Sequence, residues 1–189
     1  MSLPRRPSCL AAVSLLALLL APLPAVAASI VAWDVGEMTS RSDYVVEATV
    51  LERLNEPLMD GGVQTRNVLS VTRYLKGSGP ERLEVVQVGG TLDDGREVVL
   101  FGDIRLQPGA RVVLFVRGSA PEVHATLLGW SAFEVTGSSA DAAVTRNVEG
   151  LSLFTQTDDG QLAPTGPEHV TAPATLGELR GQVAAEVSR

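Results

Sequence analysis

The stretch Ser42-Asp43-Tyr44-Val45-Val46-Glu47-Ala48-Thr49-Val50 decides the fold class. Tyr44, Val46, Ala48 and Val50 alternate with Val45, Glu47 and Thr49, and a period of two puts the first set on one face of a half-buried strand. Just before it the pattern is helical. Asp34 and Glu37 have capping-box spacing, and Val35 and Met38 share one face of a short helix within 34–42. Beyond it, Asp60-Gly61-Gly62 marks a turn, and a long strand over 65–75 carries Leu69, Val71 and Leu75. Gly77-Ser78-Gly79-Pro80 ends that strand and 83–88 returns. Gly89-Gly90 predicts a bulge or tight bend, because two glycines give up packing surface inside an apolar strand. Asp93-Asp94-Gly95 then turns the chain into a strand over 97–101.

Pro108-Gly109 introduces 111–117, whose centre Val112-Val113-Leu114-Phe115-Val116 is apolar on both faces and is expected to be the most central strand. Strands over 125–128 and 132–135 follow, bent at Gly129, with Phe133 and Val135 inward. Weaker strands cover 142–146 and 151–154. Many short strands with turn signals every ~8–12 residues indicate an antiparallel sandwich or small barrel, so the fold class is mainly β. Residues 157–174 are rich in Gly, Pro, Asp and Thr and read as a linker or loop between a β-domain over 28–156 and a helix over 175–189. In that helix Thr175 and Glu178 form a capping box, and Leu176, Leu179, Val183 and Val187 fall on one face. Gly177 and Gly181 lower its intrinsic propensity, so it needs a surface to pack on.

The N-terminus has the three parts of an export signal. Arg5 and Arg6 supply positive charge, residues 10–21 form an apolar run, and Ala25-Val26-Ala27 gives a small-x-small cleavage pattern. Cleavage is expected after Ala27, placing the product in the periplasm or outside the cell. The apolar run stops at Pro22, short of the roughly 20 residues a spanning helix needs. The only cysteine, Cys9, precedes the apolar run and cannot become a lipidated N-terminus. Pro4 and Pro7 flank the arginine pair, which favours ordinary over twin-arginine export.

Removing residues 1–27 leaves 162 residues, about one domain. Two of the 15 basic residues and none of the 22 acidic ones go with the signal, so the remainder carries a net charge of −9. Lys76 is the only lysine. Neither nucleic acid nor an anionic membrane surface is an expected partner, since both need clustered Lys and Arg. With no cysteine after Cys9, burial of apolar surface must stabilise the domain without disulfides.

No cofactor or metal is implied. The two histidines, His124 and His169, do not make a zinc ligand set in a mature chain that has no cysteine and no histidine pair at helical spacing. No G-x-S-x-G elbow exposes a nucleophile. Ser131 near His124 is the closest local nucleophile–base pair, and Glu134 with Glu97 or Asp103 is a constructible carboxylate pair, with surface solvation as the bland reading of the carboxylates. A strand-edge histidine with a satisfied ring is the bland reading. Asp93-Asp94-Gly95 and Asp158-Asp159-Gly160 lack the alternating ligands of a calcium loop and fit turns. Core packing is the bland reading of both tryptophans, Trp33 and Trp130. Trp130, beside Gly129 and between strands, is the candidate binding-surface residue.

The succession of residues 42–50, Thr65-Arg66, Tyr74-Leu75-Lys76-Gly77, Val86-Gln87-Val88-Gly89-Gly90 and Pro108-Gly109-Ala110-Arg111-Val112-Val113-Leu114-Phe115 resembles the netrin-like/tissue-inhibitor-of-metalloproteinase group of OB-type barrels. It is similar as well to exported bacterial domains on the same plan. The resemblance spans roughly residues 40–135 and implies a five-stranded Greek-key barrel with helices packed at its ends. The inhibitors of that group use an N-terminal cysteine to reach a protease zinc. Ala28, the expected new N-terminus, offers no such ligand.

The function expected from these features is that of an exported, non-enzymatic binding or accessory domain, with a protein or cell-envelope component as partner. The alternatives are a hydrolase using His124 with a carboxylate or Ser131, and a modulator of an extracellular metalloprotease.

Overall fold

The computed structural model describes residues 28–170 and 172–189; residues 1–27, over which an export signal is expected, lie outside the described residues. The stretch 42–50 begins a strand that runs on to Pro57. The strands are β1 (Ala28–Val31), β2 (Tyr44–Pro57), β3 (Val63–Lys76), β4 (Arg82–Val88), β5 (Gly90–Thr91), β6 (Glu97–Val98), β7 (Arg111–Ser119), β8 (Glu122–Ala125), β9 (Ala132–Thr136), β10 (Ala143–Thr145), β11 (Leu151–Gln156) and β12 (Leu162–Thr165). Two helices, α1 (Val35–Arg41) and α2 (Leu176–Val187), stand near the two ends of the described chain.

Five strands close a barrel in the order β2, β3, β4, β8, β7 and back to β2. Every neighbouring pair is antiparallel except β4 with β8, which run parallel. Closure removes the open edges that invite unwanted strand pairing. The second edge of β7 is shared: residues 116–119 pair with β8, whereas 112–114 pair with β9, which carries β10. A separate sheet orders β1, β11 and β12, with β1 parallel to β11.

This branching explains why 112–116 is apolar throughout. Val112, Leu114 and Val116 face the barrel interior with Val46, Leu69 and Leu83. Val113 and Phe115 face outward into a second core with Phe133, Trp130, Met38 and Leu179. The strand is thus a wall between two cores, and both faces exclude water. β2 is divided likewise: Val46, Ala48 and Val50 line the barrel, while Val45 joins the outer core.

The helices cover that outer core. Asp34 caps α1, accepting from the Glu37 amide at 2.7 Å, and α1 buries Val35 and Met38. Thr175 caps α2, accepting from the Glu178 amide at 3.2 Å, and α2 buries Leu176, Leu179 and Val183. Glu47, on the outward face of β2, is buried and accepts two hydrogen bonds of 2.6 Å from Arg180 of α2. The contact supplies the packing partner that a glycine-containing helix needs.

Lys76 ends β3 under the C-terminal turn of α1, where its Nζ donates to Thr39 O and Ser42 O at 2.7 Å and to Ser40 O at 3.3 Å. A cation there satisfies orphan carbonyls and the negative end of the helix dipole. Lys76→Met is expected to cost about 1–2 kcal/mol, read as a lower urea midpoint with an unchanged slope.

The strand expected over 125–128 lies instead at Glu122–Ala125, and the structure differs from sequence expectation in three further places. The strand anticipated over 97–101 is confined to Glu97–Val98, and Val99, Leu100 and Phe101 are exposed. Its partner is the Gly89-Gly90 bend: Gly89 has φ +97, and a Cβ there would collide with the Val98 carbonyl. Second, the segment 157–174 contains β12 and a 3-10 turn, Pro167–His169, because 162–165 completes a hairpin with β11. Third, β1 has no signal of its own in the sequence and exists by pairing with β11.

Candidate binding site

A cleft of about 180 Å³, lined by apolar and charged residues together, opens where β9 and β10 leave the barrel. Its walls are the start of β7, Ala132 and Glu134 of β9, the end of β10 and the connection 103–107. The connection is fixed by alternation. Ile104 and Leu106 are buried as plugs of the barrel core, which turns Asp103, Arg105 and Gln107 toward the cleft. Gln87 Nε2 donates to Ile104 O at 2.8 Å and ties the connection to β4. Gly129 forms part of the wall; its amide donates to Gly102 O at 2.8 Å, an approach that a Cβ would obstruct.

Arg146 distinguishes this cleft. Ala142 and Val144 point into the outer core from the β10 segment, and Arg146 follows in the same period-two register. Its guanidinium carbon lies 3.8 Å from the Trp130 ring centre and 4.1 Å from that of Phe133. The buried Nε has no hydrogen-bond partner among the described residues. Burial pushes Arg146 down to about 9, still cationic at neutral pH. The two aromatic faces offset part of the desolvation through their quadrupoles, yet a buried donor without an acceptor remains costly.

Asp103 lines the same cleft. Burial raises its carboxyl pKa above the usual aspartate value, and the Ile104 amide, donating to Oδ1 at 2.7 Å, partly opposes that shift. No ion pair joins Asp103 to Arg146 among the described residues. A raised folded-state pKa means that the native protein holds this proton more tightly than the unfolded chain. Its stabilising contribution is complete below the ordinary aspartate range and is lost as pH rises through the raised value. Asp103→Asn keeps the acceptor for the Ile104 amide and is expected to flatten the pH dependence of Tm on that limb. An unchanged slope would locate the titration elsewhere.

The residues singled out in the sequence are scattered. His124 is exposed on β8, and its Nδ1 lies 3.0 Å from Val86 O, which makes Nδ1 the protonated nitrogen because a carbonyl only accepts. Among the described residues no carboxylate stands within ion-pair distance of His124. Ser131 is buried, and its Oγ accepts from the Leu127 amide rather than meeting His124. Trp130, the expected binding-surface residue, is instead core: it is 2 % exposed and its Nε1 donates to Trp33 O at 2.8 Å. The structure moves the interest from Trp130 to the arginine lying on it.

Of the carboxylates, Asp103 and Glu134 both line the cleft, and Glu97 lines a neighbouring groove. His169 is exposed beside Glu168. Both Asp-Asp-Gly segments are turns: Asp94 accepts from the Arg96 amide, and Asp159 from the Gln161 amide. Among the described residues there is no group of three His, Cys, Asp or Glu placed to hold a metal, and no helix is long and apolar enough to cross a membrane.

What the fold and the cleft define is a closed β-barrel with a side branch carrying a partly buried, unpaired cation. No protein-family model matches this chain, and no curated protein does.

Proposed function

We propose that this protein is an exported, non-enzymatic binding domain built on an OB-type barrel, and that it holds its partner at the Arg146 cleft. The observation carrying the reading is the Nε of Arg146, a buried donor without a partner at a cleft. Such a group is costly in the free protein and is relieved by an acceptor that arrives from outside.

Three further features support it. The strand order, with the third and fifth barrel strands parallel, is what an OB-type barrel of the netrin-like group has. The N-terminal 27 residues have the charge, apolar run and small-residue ending of a cleaved signal, which puts the working site in the periplasm or outside the cell. The histidine on which a hydrolase would depend is bonded to a backbone carbonyl. The metalloprotease-modulator alternative has no counterpart here of the cysteine that the resemblance would require.

The test is affinity capture from the native cell envelope with the protein and with Arg146→Gln. The reading expects a component retained by the first and at least about tenfold depleted on the second, as for loss of a charge-assisted anchor. Hydrolytic activity abolished by His124→Ala would replace this reading with the enzymatic one.

A further inference from the structure

The charges around the cleft restrict what it can take, given the reading above that it is a binding site. Arg146 is the cation without a partner. Arg105, the other cation lining the cleft, is engaged by Glu149, its Nη1 donating to Oε2 at 3.1 Å. Asp103 and Glu134 bring two carboxyl groups to the same walls. A dianion such as phosphate would meet one available guanidinium and two like charges, and like charge in a confined site is strongly unfavourable. A monoanion meets about half of that repulsion and can bring two oxygens to the one guanidinium.

Shape narrows the class further. A guanidinium presents its N–H groups in one plane and pairs best with a planar acceptor offering two oxygens. The aromatic rings beneath Arg146 hold that plane in place, so little ordering is left to the moment of binding. A cleft of about 180 Å³ takes a few heavy atoms and not a whole drug-sized molecule. The remaining polar side chains on its walls, Thr145, Asn147 and Gln107, offer neutral hydrogen bonds around the anion.

We infer that the cleft between β9, β10 and the 103–107 connection is a carboxylate-binding site in which Arg146 receives the free carboxylate of a small acid or of a polypeptide C-terminus. Both sources present the same chemistry. Asp103 and Glu134 act as excluders of more highly charged anions.

The experiment is a titration of the intact protein monitored by tryptophan fluorescence, since Trp130 lies directly under the guanidinium. The probes are N-acetylglycine and its amide, a tripeptide with a free and with an amidated C-terminus, and inorganic phosphate. The expected result is binding of one or both acids at least about tenfold tighter than the matching amide, with phosphate weaker than the acid. Whether the tripeptide acid or N-acetylglycine binds better tells the two sources apart. Arg146→Gln is expected to lose at least tenfold toward the acid and nothing toward the amide, and Arg146→Lys to retain part of the preference, since a charge without the planar fork remains.

Equal affinity for acid and amide overturns the carboxylate assignment while leaving the domain a binder. Phosphate binding more tightly than the acids overturns it too. No response to any probe also overturns it, and envelope capture that still depends on Arg146 then keeps the broader reading standing.

Discussion

Arg180→Ala is expected to destabilise the domain by about 3–5 kcal/mol, the largest effect of any single surface-helix substitution here. The reason lies at the other end of the contact. Glu47 has 7 % of its side chain exposed, sits on the central strand β2, and receives both of its strong hydrogen bonds from Arg180. Removing the arginine leaves the buried Glu47 carboxylate between α2 and the barrel without its counter-charge and without both of those hydrogen bonds. Arg180 itself has its pKa raised, chiefly by the hydrogen bonds to Glu47, which is the reciprocal sign of a favourable pair. For a domain of this size the loss corresponds to roughly 10 °C in Tm. The double variant Glu47→Leu with Arg180→Met is expected to recover most of it, because an apolar pair of similar volume removes the desolvation cost along with the attraction. Calorimetry of the three proteins checks both statements. A near-neutral Arg180→Ala would mean that α2 is held by Leu176, Leu179 and Val183 alone.

Arg146→Met has the opposite sign. Methionine fills much of the same space over Trp130 and Phe133, makes favourable sulfur–aromatic contact, and brings no charge to desolvate. The wild-type arginine loses hydration and leaves Nε without an acceptor, and recovers only the cation–π attraction. The variant is expected to be more stable by about 1–3 kcal/mol, visible as a higher denaturant midpoint, and unable to bind ligand. Stability gained by deleting a group that binding requires is the usual trade at a functional site. Destabilisation by Arg146→Met would instead identify the guanidinium as a structural brace.

The strands were legible because their signals are local. Turn residues at 60–62 and 77–80 placed β3 and β4 within two residues, and period-two alternation over 44–50 found the start of β2 but not its run on to Pro57. The double-faced apolar run at 112–116 marked the wall between two cores, although nothing in it announces that the second core lies outside a barrel. What was not legible depends on partners far away in sequence. β1 is a strand because β11 lies beside it, and 162–165 pairs with β11 in spite of a loop-like composition. Val99, Leu100 and Phe101 have the composition of a strand and find no partner.

The site followed the same division. His124 and Trp130 stood out as residue types, and types alone were uninformative: one is bonded to a carbonyl, the other buried. The informative signal was register. Ala142, Val144 and Arg146 share one face of a short strand whose first two members are buried, which places a cation where a core residue belongs. Asp103 was named only as one carboxylate among several, and its burial was not legible, since it follows from Ile104 and Leu106 anchoring the connection from inside the barrel.

The account rests on the Arg146 guanidinium being the group that a ligand completes, and its Nε–H can be observed directly. In ¹⁵N-labelled protein, the Arg146 Nε–H resonance, assigned by its loss in Arg146→Lys, is followed as N-acetylglycine and then the free-C-terminus tripeptide are added. The account predicts a saturable downfield shift of that proton with at least one of the two acids, and no shift with the corresponding amide. A resonance that stays in place while ligand binds elsewhere on the barrel would contradict it.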